Sequence, residues 1–149
     1  ALTPPNDSAA IPAASPAGPS GGGGLYSTAD DYMRFCQMLL NGGEFGGVRL
    51  LAPRSVEMLR TNHVQAAALA TMAPGRGWGL GPQVVMDAAA AGEPYSDGAF
   101  HWYGIGGTWF WVDPERDFAF VGMIQHDNLG TAGRIHGVSR QVVYQAILD

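Results

Sequence analysis

Apolar and polar positions repeat along this chain in helical spacing at two places and in strand-like runs between them. Between Thr28 and Asn41, Phe35 and Leu39 lie four apart, as do Tyr32 and Cys36, which predicts a helix with one apolar face. Ser27 or Thr28 can cap it. Asp30 and Asp31 occupy its first turn, where the helix dipole favours anions, and Asn41-Gly42 stops it. Residues 41–48 read as a Gly-rich turn, and Pro53 suits the first position of a second short helix running through Arg60. Residues 77–86 carry Trp78, Leu80, Val84 and Val85 and read as a strand broken at Gly81-Pro82. Residues 108–112 and 118–124 form a predicted hairpin, with Asp113-Pro114-Glu115-Arg116 as its turn and Pro114 preset for the second turn position. Both hairpin strands are apolar on both faces, as expected of a sheet covered by helices on each side. Ile135, Val138, Val142 and Ala146 then recur at helical spacing up to Leu148, predicting a closing helix that covers one face. The chain supplies too few helices for both faces, so the remaining cover is expected from elsewhere.

Residues 1–24 show no periodicity. They are rich in Pro, Ala, Ser and Gly, end in four consecutive glycines, and read as an extended surface segment. The fold class expected of residues 25–149 is α/β of the α+β type: part of an antiparallel sheet, its closing hairpin and a helix packed on it.

Composition narrows the function. The 149 residues suffice for one core and are too few for two domains. A net charge of −5, with arginines scattered singly, excludes a phosphate-binding stripe and hence nucleic acid as a partner. No apolar run approaches the length of a membrane span. The single cysteine, Cys36, falls among apolar helix positions and reads as core; it permits no internal disulfide or cysteine-based metal site. All eight basic residues are arginines, so any mechanism that needs a lysine must import it.

The segment with most chemical content is His101-Trp102-Tyr103-Gly104-Ile105-Gly106-Gly107-Thr108, continuing through aromatic residues to Val112-Asp113-Pro114. This pattern resembles the serine hydrolase family of class C β-lactamases, DD-peptidases and the carboxylesterases that share their fold. In that family a sheet strand beside the catalytic serine carries Lys-Thr-Gly, or Trp-Gly-Gly in the esterase branch. Trp102-Tyr103-Gly104 falls on the triplet and His101 on the position before it. The stretch from Gly24 to Tyr32 and Leu50-Leu51-Ala52-Pro53 extend the resemblance upstream. It implies acyl transfer: a serine of Ser-x-x-Lys attacks a carbonyl, a lysine and a tyrosine manage protons, and two backbone N–H groups hold the oxyanion. One of those donors would be the N–H of Ile105. His101, Trp102, Tyr103 and Gly104 would form the substrate-binding wall, with Gly104 permitting close approach. Trp102 would stand where a lysine meets a lactam's carboxylate, which favours an ester substrate. Tyr103 departs from the usual Gly or Thr and either narrows acyl choice or points into the core.

The rest of the machinery is absent from these residues. Ser-x-x-Lys cannot exist without lysine, and none of the tyrosines opens a Tyr-x-Asn or Tyr-x-Ser element. The resemblance therefore implies the C-terminal half of such an enzyme. Its partner would be an N-terminal segment carrying Ser-x-x-Lys, and its substrate a small ester or amide. This chain alone is expected to be inactive, with exposed apolar surface. No cofactor is called for. The alternatives are a non-catalytic binding or structural domain of the same fold, and an enzyme of the β-lactamase or DD-peptidase type.

Other readings are weaker. There is no Gly-x-Ser-x-Gly elbow, and Ser20 before four glycines is a loop residue. His101, His126 and His136 lack metal-ligand spacing, and His63 and His136 read as surface residues. Gly77-x-Gly79 lacks the strand–turn–helix setting of a dinucleotide loop. Trp109 and Trp111 read as packing residues and Asp113 as part of its turn, while Asn6-Asp7-Ser8 matches a glycosylation acceptor of a kind that arises by chance.

Overall fold

The computed structural model describes residues 26–104, 106–124 and 134–147. The expectations for residues 1–24, Ile105 and His126, and the end of the closing helix at Leu148, lie outside them. Helix α1 (Ala29–Leu40) starts where Thr28, in extended conformation, accepts the Asp31 N–H on its hydroxyl at 3.1 Å. It ends at Gly42, which adopts φ +64° so that the N–H groups of Gly42 and Gly43 return to the carbonyls of Leu39 and Met38 at 3.1 and 2.8 Å.

The Gly-rich turn contains two short paired strands, β1 (Glu44–Phe45) and β2 (Val48–Arg49), followed by α2 (Pro53–Leu59) and α3 (Ala66–Leu69). The predicted broken strand becomes two, β3 (Arg76–Trp78) and β4 (Gln83–Val85), folded back at Gly81-Pro82. A short helix α4 (Ala88–Ala91) is capped by the Asp87 carboxylate, and then come β5 (Phe100–Gly104), β6 (Thr108–Asp113), β7 (Phe118–Met123) and α5 (Arg134–Ala146).

Strands β3 to β7 form one antiparallel sheet in chain order. On one face Phe100 and Val112 pack with Cys36, Met38 and Leu39 of α1 and Val56 of α2. On the other, Val85, Trp109 and Trp111 pack with Tyr95 and with Val143 and Tyr144 of α5. Each large apolar side chain removed from water in this way contributes about 1.5–3 kcal/mol. Cys36 is fully buried and its thiol is pushed up to about 12 by burial, as a core residue requires.

Three expectations are corrected. Helices lie against both faces of the sheet, α1 on one and α5 on the other, where cover was expected for only one. Helix α5 also docks through the opposite side from its aliphatic stripe. Ile135, Val138 and Val142 are exposed, while Val143 and Tyr144 face the sheet. Aromatic contacts and buried hydrogen bonds orient this helix in place of aliphatic burial. Finally, the hairpin turn falls one residue later than expected: Pro114 opens it, its carbonyl accepting the Asp117 N–H at 3.4 Å, and Asp117 takes φ +48°. Asp113 is instead the last residue of β6 and fully buried.

A close approach fixes one glycine. Gly122 on β7 lies opposite Trp109 on β6, and a Cβ there would fall 2.3 Å from the indole ring. The indole thus lies across the strand, covering a residue with no side chain of its own.

Candidate functional site

The register of β5 leaves one of its edges open. All five residues from Phe100 to Gly104 pair with β6, but β4 pairs only with Phe100 and His101. From Trp102 to Gly104 the β4-side edge of β5 carries no partner strand among the described residues. A strand edge of this kind presents unpaired N–H and C=O groups to whatever lies beside it.

Strand alternation divides the predicted wall between the two faces. Phe100 packs on the α1 side and His101 and Tyr103 on the α5 side, while the Trp102 ring stacks on Tyr103 at the strand end and lines the cavities on both sides. Trp102 is half-buried, with its ring 4.6 Å from Trp78 in an edge-on contact and 4.7 Å from Tyr103. It lines an apolar groove of about 280 Å³ with Tyr32, Phe35, Leu59, Leu80 and Phe110. Gly104 faces the cross-strand Thr108, whose hydroxyl would lie 2.8 Å from any Cβ added to Gly104. The glycine therefore has a packing reason within the sheet as well as the open approach that the motif implies.

On the α5 side, His101 and Tyr103 line a second cavity, of about 200 Å³. His101 is 6% exposed and stacks on Tyr95 with ring centroids 5.2 Å apart. Burial, then the charges of Arg76 and Arg140 and the nearby His136, lower its pKa to about 3. It is therefore a neutral imidazole at ordinary pH and no proton donor there. His136, expected at the surface, is half-buried, 4.8 Å from the Trp109 ring and 5.4 Å from Tyr103. Burial and then Arg140 lower its pKa as well. His63 is exposed as expected.

A charge cluster absent from the sequence reading closes this cavity. Glu93 Oε1 pairs with Arg76 Nη2 at 2.6 Å and with Arg140 Nη2 at 2.5 Å. Arg76 also donates to Gln83 Oε1 at 2.7 Å, and Arg140 to the Tyr95 hydroxyl at 3.2 Å, with its guanidinium over the Tyr95 ring. Burial dominates at Tyr95 and pushes its phenol up to about 12. No local motif links these residues, since Arg140 and Tyr95 are 45 positions apart. Among the described residues no group of three or more His, Cys, Asp or Glu side chains converges as metal ligands.

A family model described as beta-lactamase matches residues 2–143. Protein Rv1367c of Mycobacterium tuberculosis is 45% identical over 114 residues, covering 70% of this chain and 28% of that protein. Esterase EstB of Burkholderia gladioli is 28% identical over 126 residues, covering 85% of this chain and 31% of its own length. Among solved structures, EstCE1, a hydrolase with promiscuous acyltransferase activity, is 32% identical with a TM-score of 0.75, over 87% of this chain and 32% of its own. Simvastatin synthase (LovD) from Aspergillus terreus shares the fold at 18% identity and a TM-score of 0.68, over 83% of this chain and 36% of its own. The chain spans about a third or less of the length of these relatives. With the antiparallel sheet flanked by helices, and an esterase and a hydrolase among its relatives, the chain belongs to the beta-lactamase family, with its esterase-like hydrolases.

Proposed function

We propose that this chain forms the oxyanion-side wall of a serine carboxylesterase whose serine, lysine and tyrosine come from an N-terminal segment or partner chain. The observation that carries the reading is the free edge of β5 from Trp102 to Gly104, the residues just before Ile105 in sequence. A carbonyl lying against that edge would meet backbone donors aimed at developing negative charge, and such donors act most strongly where water is excluded. The imported serine attacks the ester carbonyl and gives up its proton to the imported base. The Ile105 N–H and a second backbone N–H hold the oxyanion. Collapse expels the alcohol, which takes up that proton, and water then releases the acid from the acyl-enzyme.

Ester chemistry is favoured over lactam chemistry because Trp102 occupies the position where a lysine would meet a lactam's carboxylate. The apolar groove around Trp102 offers a place for an uncharged acyl or alcohol group. EstB and EstCE1 are named as an esterase and a hydrolase, which supports the same class.

The test is reconstitution: co-express this chain with a polypeptide carrying Ser-x-x-Lys and the tyrosine element, then assay p-nitrophenyl butyrate and a chromogenic cephalosporin. Ester hydrolysis that needs both pieces, with one fluorophosphonate label on the Ser-x-x-Lys serine, is the expected result. A folded complex that takes no label, or that opens the cephalosporin faster than the ester, would overturn the proposal.

A further inference from the structure

The α5-side cavity holds a surplus of positive charge. Two guanidiniums, of Arg76 and Arg140, share the single carboxylate of Glu93, and their side chains are only 18% and 17% exposed. No other acidic side chain among the described residues lines the cavity, and His101 is held neutral. A buried charge without a counter-charge is costly, so the cluster favours one further negative charge beside it.

The hydrogen-bonding pattern has the same sense. Among the described residues, Arg76 Nε, Arg140 Nε, Trp109 Nε1 and Trp111 Nε1 are buried donors without a partner, the rings of His101 and His136 each have an unpartnered Nε2, and Glu93 Oε2 is an unpartnered acceptor. Four of these seven atoms can only donate and one can only accept, so donors stay in excess and call for a further acceptor. Such orphaned groups cost stability until an acceptor reaches them. The remaining walls are flat and aromatic: Tyr103, Trp109 and the His136 ring. We propose that this cavity binds a small organic monocarboxylate, its carboxylate beside Arg76 and Arg140 and its apolar part between the aromatic rings. The volume of about 200 Å³ limits the ligand to a short-chain or single-ring acid. This assignment does not depend on the esterase reading.

Calorimetric titration of the protein with benzoate and acetate at neutral pH tests it, with phosphate as an inorganic control and Trp109 indole N–H shifts by NMR as the locator. Saturable one-to-one binding of benzoate, with acetate weaker and the Trp109 signal moved, is expected. Substitution of Arg140→Gln leaves the cluster neutral and should weaken benzoate at least roughly tenfold. Glu93→Gln adds a positive charge and should tighten it. These opposite signs separate anion binding from a purely structural role, provided both variants keep the wild-type circular dichroism and melt. Absence of saturation, equal response to phosphate, or equal affinities in folded R140Q and E93Q would each overturn the proposal. So would a cavity in the longer polypeptide already filled by one of its own Asp or Glu side chains, seen as no uptake by that polypeptide alongside uptake by this chain.

Discussion

The Tyr144 hydroxyl donates to Asp113 Oδ2 at 2.6 Å, joining the closing helix to the end of β6. The same oxygen accepts the Ser96 N–H at 3.0 Å, so a fully buried carboxylate ties together a helix, a strand and the loop before β5. Burial, followed by the bond to Asp113, raises the Tyr144 pKa, and the phenol stays a donor at every pH at which the fold is studied. This contact, with the aromatic packing of Tyr144, sets which side of α5 faces the sheet.

Removing that hydroxyl should therefore loosen α5. Tyr144→Phe leaves Asp113 Oδ2 with one neutral donor, and the expected cost is about 1–3 kcal/mol. Urea unfolding followed by tryptophan fluorescence measures it. A variant as stable as the parent would show that the bond does not orient the helix.

His101 should make the protein acid-sensitive. Its folded pKa is lowered to about 3, below the ordinary value of 6.5, so the folded state takes up fewer protons than the unfolded state between these values. The stability is fully present above about 6.5 and is lost progressively as pH falls towards about 3. Unfolding free energies measured from pH 7.5 down to 4 should decline in the parent and decline less steeply in His101→Gln.

The oxyanion role proposed for the Ile105 backbone N–H has a distinctive test in the reconstituted complex. Ile105→Pro removes the donor and should lower kcat by about 10²–10³-fold, whereas Ile105→Ala keeps it and should leave kcat near the parent value. Equal rates in the two variants, both confirmed as folded complexes, would remove Ile105 from the oxyanion role.

The exposed stripe of α5 should govern solubility. Ile135, Val138 and Val142 are 40%, 51% and 59% exposed on one side of the helix. Replacing all three with Gln should reduce light scattering of the isolated chain while leaving its melting temperature within a few degrees. A large fall in the melting temperature would mean that these residues support the fold.

Local signals were legible wherever neighbours in the chain decide the outcome. A cap at Ser27 or Thr28, a stop at Asn41-Gly42, Pro53 as helix start and the strands on either side of Pro114 are read from residues a few positions apart, because a turn or a cap is completed within one turn of chain. The family was legible too, since the run from His101 to Pro114 keeps its order in the sequence.

The orientation of α5 was not legible. Ile135, Val138 and Val142 have the spacing of a core face, yet Tyr144 and Arg140 find stronger partners in Asp113, Tyr95 and Glu93, all distant in sequence. The separation of Phe100 from His101 across the sheet follows from strand alternation once β5 is known to be a strand. The cluster of Arg76, Glu93 and Arg140 is different in kind. Each of these residues has an ordinary sequence neighbourhood, and only the packing of α5 against the sheet brings two arginines to one carboxylate. Periodicity and caps are properties of neighbouring residues and stand in the sequence itself, whereas charges that converge from three separate elements exist only once the chain has folded.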